Sequence, residues 1–323
     1  MVLCSSVIIL LSEGNHSIIP TFILHFSEYP ELQVPFFLVF FSVYTVTVVG
    51  NLGMIIIIKI NSKLHMVTYF SLSHLSFVNF FFSAVVTPKL LENLIVEDRT
   101  ISFSGWFVQF CLACLFGAAE TFMLATMAYD HFLAVCNPLL YASTMSSKHC
   151  ALFVPGSYSW GVVCSITLTY FLLALPYCCK SSTINNCICD HSVIVSVSCS
   201  DPYISQMLCF ITAIFNEASS LEIILMSYIF IFITVMRMPS ASACWKTFST
   251  CASHLTAINI FHGTILFLYC IPNAKKSWLT VKVTSVFYTI VIPMLNPLIY
   301  SLRNKVKNTF PRLVFTKSLC HAT

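Results

Sequence analysis

Four polar side chains stand inside long apolar stretches of this chain, where a polar group is costly unless it is used: Asn51, Asn79, Glu120 and Asn296. Such groups must find one another or water, so together they suggest one buried polar network. The alternative is that each asparagine bonds a neighbouring backbone carbonyl. Glu120, ionisable and in mid-stretch, could hold a cation or could carry a proton and simply hydrogen-bond its neighbours. In Asn296-Pro297 the proline removes a helical hydrogen bond and leaves a kink with a free carbonyl, a plausible hinge, with Tyr300 one turn further on. A second constellation is Asp130-His131, where a carboxylate precedes an imidazole at the end of an apolar run.

Catalytic and metal chemistry are poorly represented. No nucleophile stands beside a base in a recognisable motif, so no enzyme is expected and no cofactor is implied. Of the 16 cysteines, most fall in apolar runs or on the inner, reducing side, where they act as small apolar fillers. The polar segment Pro176–Tyr203 is different, with Cys178, Cys179, Cys187, Cys189 and Cys199 close to His191. Their spacing has neither the CxxC form nor a paired histidine, so no metal site is expected there.

The elements that position these groups follow from composition. Hydrophobic residues make up 58% of 323 and charged residues only 9%, with a mean hydropathy of +0.86. A water-soluble domain could not cover so much apolar surface. Runs long enough to cross about 30 Å of hydrocarbon as helices lie near Pro35–Ile58, Tyr69–Leu91, Phe103–Ala128, Cys150–Leu175, Ile204–Met236, Phe248–Cys270 and Val281–Ser301. They are too long and too uniformly apolar for barrel strands. The expected fold is an all-α membrane protein, a seven-transmembrane helix bundle with a short amphipathic C-terminal helix. It divides into an extracellular N-terminal segment (1–34), the bundle (35–301) and a cytoplasmic tail (302–323).

Basic residues set the orientation. With the N-terminus outside, Lys59, Lys63, Lys148, Arg237, Lys246, Arg303, Lys305, Lys307, Arg312 and Lys317 face inward, ten of the 16 Lys and Arg. Glu13, Glu28, Glu31, Glu92, Glu97, Asp98, Asp190 and Asp201 fall outside, and Asp130 lies at the inner boundary. The net charge of +4 is thus a topological asymmetry, with no nucleic-acid footprint. Asn15-His16-Ser17 is a glycosylation sequon on the outer side. The first residues, MVLCSSVIILLSEG, lack the basic start and small-residue cleavage site of a signal peptide. Leu302–Phe315 alternates basic and apolar residues and could lie on the inner leaflet as a helix, making membrane lipid a partner.

Several strings are specific. Met127–Tyr141 reads MAYDHFLAVCNPLLY, and it is accompanied by Gly50-Asn51, LSHLSFVN at Leu72–Asn79, PKLL at Pro88–Leu91, SYIFI at Ser227–Ile231, KTFSTCASHL at Lys246–Leu255 and PMLNPLIYSLRN at Pro293–Asn304. In this order and spacing they resemble the olfactory (odorant) receptors, a branch of the rhodopsin-like G-protein-coupled receptors, over about Asn15–Lys307. The resemblance implies a plasma-membrane receptor with an extracellular N-terminus and a cytoplasmic C-terminus. It would bind a small volatile odorant within the bundle and activate a heterotrimeric G protein of the olfactory stimulatory type.

The resemblance also places residues. It puts a ligand pocket in the outer halves of helices three, five, six and seven, with Cys114, Gly117, Ala118, Phe210, Asn216, Phe261, His262, Ile265, Tyr269, Ser285 and Thr289 as candidates. It puts the polar network beneath that pocket, and a G-protein switch at Asp130, His131, Tyr228, Lys246 and Tyr300. Cys178 and Cys199 match a family disulfide pair. Cys189 matches the loop half of another, whose helix-side cysteine is replaced by Trp106.

Departures from the family pattern are concentrated at working positions. His131 stands where the family has arginine, and it offers at most two donors on a short stem in place of a five-donor planar fork. Asn79 stands where aspartate is common, His262 where tyrosine is usual, Val67 and Thr68 for proline and methionine, Ala243-Cys244 for a glycine and a basic residue, and Val281 for aspartate. These motivate a second reading, a receptor-like protein impaired in trafficking or coupling. A transporter or channel would call for repeated halves or a charged pore lining, and neither is seen.

Overall fold

A computed structural model of the chain describes residues 21–24, 33–61, 67–96, 100–138, 141, 147–176, 183–184, 191, 195, 198, 201, 203–270 and 283–301. Six long helices follow one another: α1 (Gln33–Ile60), α2 (Val67–Ile95), α3 (Phe103–Cys136), α4 (Ser147–Leu173), α5 (Tyr203–Met236) and α6 (Ala241–Cys270). All six are long and apolar enough to cross a membrane, and a shorter apolar helix, Val283–Ile299, follows them. The expected seven-helix bundle is what forms. Its amphipathic tail at 302–315 lies outside the described residues.

The helices satisfy many of their hydroxyls internally, as hydrocarbon favours. Hydroxyls inside apolar stretches donate back one turn: Thr47 to the Val43 carbonyl at 2.8 Å, Ser157 to Phe153 at 2.9 Å and Ser227 to Ile223 at 2.7 Å. At the start of α3 the Ser102 hydroxyl accepts from the Gly105 N–H at 3.1 Å, a side-chain N-cap. The seventh helix begins differently. A π-helical turn, Phe287–Val291, precedes α7 (Ile292–Ser301), and Pro293, with no N–H to contribute, lies two residues beyond it.

The core runs along α3. Over half of the apolar window of α2 and of α3 is buried, against 28% for α1 and α5, so the first pair is central and the second faces outward. Leu75, Phe82, Met123, Leu124, Ile258 and Phe261 belong to the central cluster, and Phe40, Leu90 and Ile290 to a second one between α1, α2 and the seventh helix. Two glycines permit close helix crossings. A methyl on Gly161 of α4 would sit 2.5 Å from the Leu115 carbonyl of α3, and one on Gly50 of α1 would sit 3.1 Å from the Pro297 ring of α7.

One feature was not expected of an all-α chain. Three short strands, β1 (Thr21–Leu24), β2 (Thr100–Ser102) and β3 (Thr183–Ile184), form a sheet in the order β2-β1-β3. β1 pairs antiparallel to β2, with Phe22 opposite Ile101, and parallel to β3, with Ile23 opposite Thr183. The sheet joins the segment before α1, the α2–α3 connection and the α4–α5 connection at one end of the bundle.

Candidate functional site

The bundle holds a cavity of about 150 Å³ between α3, α5, α6 and the seventh helix. Cys114, Gly117 and Ala118 of α3, Asn216 of α5, Ile265 of α6, and Ser285 and Thr289 of the seventh helix line it, seven of the eleven pocket residues expected from sequence. Phe82, Val86, Phe110, Leu168 and Leu268 supply further apolar wall, and His191 reaches in from the α4–α5 connection. The chemistry is that of a site for a small, largely apolar molecule with a few polar points of contact.

Three of the other four candidates sit elsewhere. Cys209 lines the cavity, and its neighbour Phe210, a step of about 100° round the helix, is turned outward and 42% exposed. Phe261 is fully buried in the central core, its ring 5.9 Å from that of Tyr288, which lines the cavity. His262 is buried behind the wall, bonded to it through Glu217. The Tyr269 side chain lies outside the described residues.

Glu217 was missed from sequence. It lines the cavity, is 4% exposed, and its Oε2 lies 2.7 Å from His262 Nδ1, a pair that ties α5 to α6. The signal was available, because Glu217 is an ionisable residue in mid-run just as Glu120 is. Next to it, Asn216 Oδ1 accepts from the Trp160 indole N–H at 2.6 Å, anchoring α5 to α4.

Beneath the cavity the four network residues are all buried, and they divide into two linked parts. Asn296 Nδ2 donates to Glu120 Oε1 at 2.9 Å and to Asn79 Oδ1 at 3.3 Å, joining α7 to α3 and α2. Asn51 does not reach these side chains. Its Nδ2 donates to the Thr47 carbonyl at 2.9 Å and to the Pro293 carbonyl at 3.1 Å. Pro293 is the residue whose carbonyl Pro297, four positions on, cannot bond. The hinge carbonyl expected to be free is thus capped by an asparagine from α1, and the Gly50 crossing brings α1 close enough to do it.

At the inner end, Asp130 Oδ1 accepts from the Tyr141 hydroxyl at 2.9 Å. His131 is buried, and its Nδ1 donates to the Met127 carbonyl of its own helix at 2.6 Å. Its ring stacks on His254 of α6, centroids 5.0 Å apart and planes 18° apart. The Tyr228 hydroxyl of α5 shares a 2.6 Å hydrogen bond with His254 Nδ1. Three helices therefore meet through Tyr228, His254 and His131. His254 is the member not singled out from sequence, where it was one letter of the KTFSTCASHL string. The side chains of Lys246 and Tyr300 lie outside the described residues.

At the outer end, Trp106 is fully buried in a cluster with Ile101, Phe107, Phe110, Leu168, Leu172 and Val195. Its ring stacks on Phe110 at 6.1 Å. His191 Nε2 is 3.0 Å from the Ser205 hydroxyl of α5, and burial pushes the imidazole pKa down to about 4. Cys178, Cys189, Cys199 and the Asn15 sequon lie outside the described residues.

Known proteins share this chain's length and sequence. The olfactory receptor family profile matches residues 40–317. Human olfactory receptor 5D13 is 71% identical over 96% of this chain and 99% of its own length. Mouse olfactory receptor 1165 is 59% identical over 97% of this chain and 100% of its own length, and human olfactory receptor 5D18 is 59% identical over 95% and 98%. With a seven-helix bundle around a small apolar cavity and relatives at this identity over nearly full length, the chain belongs to the olfactory receptor family.

Proposed function

We propose that the chain is an odorant receptor. A small volatile odorant occupies the cavity between α3, α5, α6 and the seventh helix, and the resulting helix movement acts on a heterotrimeric G protein of the olfactory stimulatory type at the inner face. The observation that carries this is vertical continuity. The cavity wall residue Thr289 lies seven positions before Asn296, whose amide holds Glu120 and Asn79, and the Asn296-Pro297 hinge follows at once. A change in the wall of the seventh helix is therefore passed to the hinge over about two turns. Signalling of this kind is a population shift between two packings of one bundle. The receptor sits in the plasma membrane with its N-terminus outside, and its basic tail rests on inner-leaflet lipid.

The test is a cAMP reporter in cells exposed to an odorant panel, normalised to surface label. Gly117→Leu should abolish the response without lowering surface label, since a Cβ there already approaches the Tyr288 hydroxyl to 2.9 Å and a longer side chain fills the cavity. An unchanged dose response in that variant would remove the cavity as the odorant site.

A second reading, a receptor of reduced coupling, is favoured by one observation. His131 is turned inward and engaged by Met127 and His254, so it presents no long cationic arm at the inner face.

A further inference from the structure

We propose that the cavity selects ligands carrying a hydrogen-bond donor at one end, protonated amines first and alcohols second, and rejects carboxylates, with Glu217 as the selecting residue. This rests on the reading of the cavity as the odorant site and names the ligand class it takes.

The argument is an account of acceptors and donors on the wall. A carboxylate has about four lone-pair sites, and the His262 imidazole takes one of them at 2.7 Å. The remaining capacity belongs to a side chain that lines the cavity and is almost wholly buried. Three other polar wall groups are committed to the protein. Asn216 Oδ1 accepts from Trp160, the Thr121 hydroxyl donates to the Gly117 carbonyl at 3.1 Å, and the Thr289 hydroxyl donates to the Ser285 carbonyl at 2.8 Å. Ser285 Oγ is buried on the wall with no hydrogen-bond partner among the described residues, a second polar point for the same ligand.

Charge points the same way. Among the described residues no Lys or Arg lines the cavity, and His191, which does, is held neutral by burial at ordinary pH. An anionic ligand would meet a carboxylate whose one side-chain partner, His262, lies behind the wall, a repulsion that discriminates by itself. A ligand ammonium would instead gain a charge-assisted bond in a low-dielectric site. The cavity volume is comparable to one that accepts benzene, so the fitting molecules have roughly six to ten non-hydrogen atoms. A donor that engages Glu217 also competes with His262, so ligand chemistry is felt on α6 directly. His254, the residue stacked on His131, lies eight positions away on that helix.

The experiment measures binding to the purified receptor in lipid nanodiscs through ligand-dependent thermal stabilisation, with hexylamine, 1-hexanol, hexanoate and heptane as probes. Wild type should bind hexylamine about tenfold to a hundredfold more tightly than heptane, 1-hexanol in between and hexanoate least. Glu217→Gln should bring hexylamine to the level of 1-hexanol while leaving heptane unchanged. Should that variant not fold, the wild-type ranking decides alone. If heptane or hexanoate matches hexylamine on wild type, or Glu217→Gln keeps the amine preference, the proposed ligand class is overturned and the cavity reading stands. If none of the four binds wild type, or Gly117→Leu binds them as wild type does, the cavity reading falls and this inference with it.

Discussion

Trp106 occupies the position where the family has the helix-side cysteine of a disulfide, and the structure gives it a packing role that can be measured. Its ring is fully buried among residues of β2, α3, α4 and the α4–α5 connection. Truncating a buried aromatic to alanine costs about 3–5 kcal/mol in water-soluble cores. In a bilayer the transfer term is weaker and lost packing dominates, so the low end, about 3 kcal/mol, is expected for Trp106→Ala. At about 2–4 °C per kcal/mol for chains of a few hundred residues, that lowers the unfolding temperature by roughly 6–12 °C. Trp106→Phe, which keeps most of the apolar volume, should lose less than half as much. Trp106→Cys is the decisive variant. It gives up the same packing, and a restored disulfide would return about 2–4 kcal/mol, so the two contributions nearly cancel. The assay is fluorescence-detected size exclusion after stepwise heating, with and without reductant. Melting of Trp106→Ala within 1–2 °C of wild type, well inside the expected shift, refutes the packing argument. A large stabilisation of Trp106→Cys under oxidising conditions shows that covalent closure outweighs it.

Other perturbations test other parts of the bundle. Gly161→Ala drives a methyl into the Leu115 carbonyl and should cost about 1–3 kcal/mol of thermal stability, whereas Gly156→Ala, whose added methyl meets nothing within 4 Å, should be neutral. Asn296→Ala removes both bonds that hold Glu120 and Asn79; leaving the buried acceptors unsatisfied should cost about 1–3 kcal/mol or more, read by the same heating assay. His191 is neutral when packed, with its pKa lowered to about 4 by burial, and free when unpacked near 6.5. The unpacked form therefore binds more protons between these values, and packing of the outer connection should weaken as pH falls from about 6.5 to 4, by up to about 3 kcal/mol. Hydrogen exchange of the segment around residue 191 should rise over that window in wild type and stay flat in His191→Gln. His131→Arg should raise the odorant-driven cAMP response per surface receptor by about fivefold or more, and an unchanged response removes His131 as a limit on coupling.

What sequence revealed and what it hid divide along physical lines. Seven spans were legible because bilayer thickness demands long apolar runs, and the polar residues within them stood out against that background. The ends were less legible. α3 continues to Cys136, past the apolar run that stops near Ala128, and α6 begins at Ala241, before the run that starts at Phe248. Helix-forming residues extend beyond the hydrocarbon, and hydropathy does not see them. The three-stranded sheet was invisible because strands of two to four residues paired across distant parts of the chain leave no local period. Helix phase was hidden for a different reason. In helices apolar nearly all round, sequence does not mark which face turns inward, so Phe210 was chosen although its neighbour Cys209 lines the cavity. Polar residues in the same helix carry phase, since hydrocarbon excludes them. Glu217 therefore fixes the inward face of α5 better than any aromatic does.

The inner switch shows the same logic turned on function. An arginine at position 131 would have to leave the core or find acids, because its fork stays charged. A histidine can be absorbed, and here it is: its Nδ1 bonds the helix that carries it, and its ring lies on His254, which Tyr228 holds from α5. The contact closing the inner face between α3, α5 and α6 is thus an aromatic and hydrogen-bonded stack, where the family would place a guanidinium. A stack of this kind loses contact steeply with separation and owes little to charge, so outward movement of α6 would break it without freeing a cation for the G protein. His131 can accordingly take part in closing the resting bundle and still leave the active one short of the group that coupling uses. On the proposed reading of reduced coupling, the two roles that the family's arginine would combine are separated at His131.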